Sequence, residues 1–152
     1  MCEVIVKRIT QKYEVKISNF NTNNVEYMND MFRECTNLAS IDVSNFNTSK
    51  ILEMDDMFRS CSTLTSLDLS SFNTSNVFDM NEMFKDCTSL MTLDISSFNT
   101  EKVTDMKQMF ENCTSMQEIK VGSGWVISEG TDTTNMFTNC GVQENELTHV
   151  TI

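Results

Sequence analysis

Apolar residues return along this chain in one fixed order. Leu64, Leu67 and Leu69 give LxxLxL, in which Leu67 and Leu69 alternate around the polar Asp68, the period of a short strand with one buried face. Phe72 follows, and then a polar FNTSN segment of residues whose side chains close turns. Val77, Met80, Met83, Phe84 and Cys87 come next, spaced so that all would lie on one side of a helix. Glu26, Glu53, Asp79 and Asp105 begin that segment in successive copies, where they would complement a helix dipole. The predicted unit is strand, turn, short helix, turn.

The unit is repeated. The string MFRECTNLASIDVSNFNTSKILEMDD at Met31 returns at Met57, at Met83 and, shortened, at Met109, a period of 26 residues. A partial copy covers residues 17–30, and NMFTNC echoes it at 135–140. One such unit cannot bury its own apolar face and must stack on its neighbours. With parallel strands about 4.8 Å apart, equivalent residues would form columns along the stack. Phe20, Phe46, Phe72 and Phe98 make one, continued by Trp125, and Phe32, Phe58, Phe84, Phe110 and Phe137 make another. Met28, Met54, Met80 and Met106 run beside Met31, Met57, Met83, Met109 and Met136. Because the columns absorb nine of the twelve methionines and nine of the ten phenylalanines, these residues read as core rather than as a binding stripe. Asn21, Asn47, Asn73 and Asn99 read as a structural column whose stacked amides satisfy the backbone of a buried turn.

The expected fold class is therefore an α/β repeat of about five coils, with short parallel strands on one face, short helices on the other and irregular caps. The expected divisions are an N-terminal cap at 1–16 built as a β-hairpin, repeats at 17–121, and an irregular last repeat with a C-terminal cap at 122–152. All four glycines, Gly122, Gly124, Gly130 and Gly141, fall in that last segment, where the repeat also lengthens by one residue. The tail LTHVTI, with Leu147, Val150 and Ile152, either covers the far end or pairs with a second chain, which makes a homodimer through edge strands one expected assembly.

Composition narrows the partner. The chain has 152 residues, with 22 acidic against 11 basic side chains and a formal charge of −11, so it should repel nucleic acid and anionic membranes and favour a basic protein surface. No segment approaches the roughly 20 apolar residues of a membrane helix, and MCEVIVKRITQKY has no apolar signal core, so the chain reads as soluble and, as it stands, cytoplasmic. Cys35, Cys61, Cys87, Cys113 and Cys140 mark one repeat position and leave Cys2 outside it, which favours buried free thiols over a disulfide framework.

The linked set LxxLDLSxFNTSxVxxMxxMFxxC resembles the BspA-like leucine-rich repeats of bacterial and protist surface proteins over roughly residues 17 to 140. The resemblance implies a right-handed solenoid with its parallel sheet on one side, and a cell-surface or secreted protein that binds host proteins or mediates adhesion.

Candidate chemistry is sparse. One histidine, His149, lies in the tail, and no phosphate loop, nucleophile elbow or HExxH occurs, so neither an enzyme nor a metal or cofactor site is expected. Candidate binding positions lie on the outward strand face: Lys16, Asp42, Asp68, Asp94 and Lys120 in one row, with Glu14, Ser40, Ser66, Thr92 and Glu118 two residues earlier. Stacked like charges are mildly destabilising, so the three central carboxylates suit a basic partner, while the structural reading makes them the part of the repeat that keeps the strand solvated. Two functions from different classes follow: a non-catalytic protein-binding module, and a small acidic inhibitor, such as a phage would encode, that occupies the basic groove of a host defence protein.

Overall fold

In the computed structural model, which describes residue 17 and residues 19–150, successive repeats lie over one another in parallel register. The expected hairpin at 1–16, Glu14, Lys16, Cys2 and Ile152 lie outside the described residues. Three strands form one parallel sheet in the order β1 (Thr92–Ile95), β2 (Glu118–Val121), β3 (Thr148–His149). Leu93 pairs with Ile119 and Ile95 with Val121, all four buried, while Thr92 and Asp94 face outward. The tail closes one edge: Lys120 pairs with Thr148, and the Val150 amide donates to the Val121 carbonyl at 2.9 Å.

Regular pairing is weaker in the earlier repeats, where Asp68 and Asp94 form only an isolated parallel bridge. Cross-strand charge runs the same way. β1 and β2 set Asp94 beside Lys120, whereas the preceding contacts set Asp68 beside Asp94, and a like pair weakens the ladder that an opposite pair supports.

The expected short helices are not formed. Among the described residues the one helical element is the 3-10 turn Glu144–Glu146. The Met–Phe–Cys segments are instead runs of tight turns, because two positions in each copy have left-handed backbone: Asp30 and Glu34, Asp56 and Ser60, Glu82 and Asp86, Gln108 and Asn112, Asn135 and Asn139. Such residues cannot continue a right-handed helix. The intervening amides close local turns, as when Met83 donates to Met80 and Cys87 to Phe84. The alternate amides reach the next coil: those of Met28, Asp30, Phe32 and Glu34 donate to the carbonyls of Glu53, Asp55, Met57 and Arg59 at 2.7–3.1 Å. Every described coil but the last repeats that row.

A single apolar spine fills the interior. Phe32, Phe58, Phe84 and Phe110 are fully buried. Neighbouring rings in that column stand 5.3, 5.8 and 5.7 Å apart, and Phe137 extends it 5.2 Å beyond Phe110. Phe46, Phe72 and Phe98 are buried, Phe20 is exposed, and Trp125 is tilted against Phe110 at 6.4 Å. In the last coil Met136, Phe137 and Cys140 are buried, and Asp132 bridges to Asp105. Gly141 answers to close approach, since a Cβ there would lie 2.0 Å from the Met116 carbonyl oxygen, whereas Gly130 has open space and a left-handed backbone.

Candidate functional site

The outward residues of the strand column come together in two adjoining depressions. One, of about 450 Å³, has Asp42, Asp68 and Asp94 along it, with Ser40, Ser66 and Thr92 beside them and Ile41 and Leu67 beneath. The second, about 230 Å³, shares Thr92 and Asp94 and adds Leu93, Glu118 and Lys120. Every strand-face candidate among the described residues lies in this pair of hollows.

Each central carboxylate is held by its own turn. Asp42 Oδ1 accepts from the Ser44 hydroxyl at 2.6 Å and the Ser44 amide at 3.0 Å, and the Ser70 and Ser96 amides donate to Asp68 and Asp94 at 2.9 and 3.0 Å. Bonds from the serine side chain and backbone lower the pKa of all three acids, so the face is anionic across the neutral range. Both of the Ser44 bonds fall on Oδ1 of Asp42. At the far side Lys120 Nζ lies 3.7 Å from Glu118, which leaves the positive charge partly answered within its own strand.

Cys61, Cys87 and Cys113 are buried, and each donates its thiol to the carbonyl of Phe32, Phe58 or Phe84 at 3.1–3.2 Å. Burial pushes the Cys87 thiol up to about 12, and the thiol contact with Cys35 together with burial raises Cys61, so neither is a nucleophile at neutral pH. Cys35 and Cys140 are buried as well, and neither is in a disulfide among the described residues.

The asparagine column departs from expectation. Asn21, Asn47 and Asn73 are exposed, and their side-chain oxygens accept from the amides of Asn23, Ser49 and Ser75 within their own turns, as Asn99 does from Glu101. One side-chain link between turns, from Asn47 to Asn23 at 3.0 Å, is all that resembles an amide stack. The buried polar column is the next residue, Thr22, Thr48, Thr74 and Thr100. Thr74 Oγ1 accepts from the Asn99 amide at 2.8 Å and donates to the Asn99 carbonyl at 2.9 Å, so one hydroxyl satisfies both backbone groups of the coil above. A short hydroxyl reaches inward where a longer amide cannot, and the invariant NT pair was the signal for it.

Two further rows were missed. Arg33 pairs with Asp30 at 2.8 Å and Asp56 at 3.0 Å, Arg59 with Asp56 and Glu82, and Lys85 with Glu82 and Glu111, forming a charge zipper between coils. The acids read as helix-start residues lie in no helix: Glu53, Asp79 and Asp105 form a line of parallel bridges together with Tyr27 and Asp132, and Glu26 falls one residue before that line. Beside that line Asp55 is pushed up to about 6, first by burial and then by Asp79, while Asn29 donates to both Glu53 and Asp55.

Among the described residues no group of three or more His, Cys, Asp or Glu is arranged to hold a metal, and no helix is long and apolar enough to cross a membrane. A family model described as "Mycoplasma protein of unknown function, DUF285" matches residues 6–67 and 39–150. No curated protein matches, and no solved structure does.

Proposed function

The chain belongs to the family described as Mycoplasma protein of unknown function, DUF285, and from that premise we propose that it is a non-catalytic protein-binding module whose docking surface is the outward strand face. We read the stack as a right-handed solenoid of BspA-like leucine-rich repeats, with repeats over 17–121 and a C-terminal cap over 122–152. The parallel pairing of equivalent residues supports the solenoid, and the LxxLDLSxFNTSxVxxMxxMFxxC pattern supports the BspA-like assignment. That resemblance points to adhesion or host-protein binding at a cell surface.

One observation carries the docking reading: three ionised carboxylates, each fixed by a serine, line one hollow with apolar side chains beneath. Such a surface suits Lys or Arg side chains of a partner, whose charged heads meet carboxylates while their stems cover Ile41 and Leu67. The formal charge of −11 supports the second reading, an acidic inhibitor that blocks a basic groove.

Capture of partners from host extracts tests the first reading. Affinity should fall steeply between ~50 and 200 mM salt, and Asp42→Asn, Asp68→Asn and Asp94→Asn together should mimic high salt, since Asn can still close the same turn. Salt-indifferent capture, or capture untouched by the triple variant, removes this face from the interaction. Competition by duplex DNA for the same partner would favour the inhibitor.

A further inference from the structure

A second outward row runs along the stack, ten residues after the strand-face aspartates. Leu52, Phe78 and Thr104 occupy it in successive coils, and their amides donate to the carbonyls of Glu26, Leu52 and Phe78 at 2.8–2.9 Å, so the row is continuous. Phe78 is 40% exposed, Leu52 is half-buried beside it, and Tyr27 in the coil before is 55% exposed. These apolar side chains are neighbours in consecutive coils, not scattered singly.

The two flanks of the row carry opposite charge. Two residues before it stand Lys50 and Lys102, both exposed, whose ammonium groups donate to the side-chain oxygens of Asn24 and Asn76 at 3.0 and 2.8 Å and meet no carboxylate among the described residues. Arg33, Arg59 and Lys85, by contrast, each sit between two carboxylates. One residue after the row comes the half-buried line of Glu53, Asp79 and Asp105, like charges stacked coil on coil with no ion pair among the described residues. Burial, followed by Asp105 and Glu53, raises the Asp79 carboxyl above its ordinary value, as expected of a line short of positive charge.

We infer that two copies of this chain pair face to face along the Leu52–Phe78 row, coil against like coil, with both stacks running in the same direction.

The flanks select both the occupant and its direction. A purely basic partner would answer the acids and leave the lysines facing like charge, so the face needs a partner that carries both signs with the same offset. A second copy does so by symmetry. Turning it over about an axis parallel to the stack lays Leu52 on Leu52 and Phe78 on Phe78, with Lys50 against Glu53, the Asn76 amide against Asp79, and Lys102 against Asp105. Stacks running in opposite directions would set lysine on lysine and acid on acid. Glu26 would face its twin at one end of the row, the one like pair in the arrangement. The contact is isologous and closes at two copies. The strip spans four coils, about 15 Å by ~10 Å, less than the ~800 Å² per partner of a standard interface, so the dimer should be a weak one.

Sedimentation of the 152-residue chain at ~0.01–1 mM in ~0.15 M salt, which screens the net repulsion between copies, tests this together with carbodiimide cross-linking. Mass should rise with concentration toward the dimer and stop there. With isotope-labelled and unlabelled chains mixed, Lys50–Glu53 and Lys102–Asp105 cross-links should join one chain of each kind. Phe78→Ser, at a site where the next coil already carries Thr104, should weaken association at least ~10-fold with the thermal melt unchanged. Lys50→Glu should weaken it ~3–10-fold, and adding Glu53→Lys to the same chain should restore it, since both flanks are then reversed together. The triple aspartate variant of the strand face should dimerise no less than the parent, so this inference and the docking reading fail separately. A monomer up to 1 mM, growth past the dimer, a dimer that Phe78→Ser leaves intact, or Lys50 and Glu53 cross-links confined to one chain, including links to residues 1–16, would each overturn the inference.

Discussion

Thr74 shows how much one hydroxyl carries in this fold. It both accepts from and donates to the backbone of Asn99, in a site that water does not reach. Thr74→Val keeps the shape and strands one amide and one carbonyl, so it should cost ~1–3 kcal/mol by chemical denaturation, while Thr74→Ser should cost less. Asp55 makes the opposite case. Burial and the neighbouring Asp79 hold its pKa near 6 in the folded state, above its ordinary carboxyl value. A raised folded pKa means that protonation favours the folded state, so this contribution is complete at low pH and is lost as pH rises through about 6. Stability should therefore increase on going from pH 7 to pH 5, and Asp55→Asn, half-exposed as the site is, should gain ~0.5–1 kcal/mol at pH 7 and flatten that part of the profile. Urea titrations at pH 5 and 7 on both proteins check it.

At the scale of elements, the turn runs explain why a helix is the wrong reading of a correct pattern. Val77, Met80, Met83, Phe84 and Cys87 are buried together, as the apolar spacing required. A helix and a run of tight turns bury the same spacing, and what separates them is backbone sign at Glu82 and Asp86. The polar residues that favour left-handed backbone, Asp and Asn, occupy many of these positions, but Glu34, Glu82 and Gln108 do too, which blurred the signal. The columns themselves were legible because identity at a fixed period needs no knowledge of direction. Arg33 to Asp56 was not, because it depends on which way a side chain leans between coils. The strand face was legible as a set of positions, whereas the serine bonds that hold its acids ionised emerge only from turn geometry. Strand pairing gives a prediction of its own. Asp68→Lys places a cation between Asp42 and Asp94 but gives up the bond from the Ser70 amide, so the cross-strand gain of ~0.5–1 kcal/mol should be largely offset in thermal melts, while capture of a basic partner weakens.

The whole molecule is held by nearest-neighbour contacts between coils, so a defect at its centre severs two interfaces at once. Phe84 stacks on Phe58 at 5.8 Å and on Phe110 at 5.7 Å and is fully buried. Phe84→Ala should cost ~3–5 kcal/mol, and the same change at Phe137, which has a ring on one side only, should cost measurably less by denaturant titration. Cooperativity follows the same logic: damage in the middle should split unfolding into two transitions, and damage at the end should not.

The in-register columns also bear on how such a gene changes. Duplicating or excising one whole 26-residue unit leaves every phenylalanine over a phenylalanine and every threonine under an asparagine, because each coil recognises its neighbours by features they all share. A slip of any other length would carry core side chains to the solvent side. Copy number is thus a quantity that replication errors can alter without penalty to the packing, and the length of the binding face would vary with it.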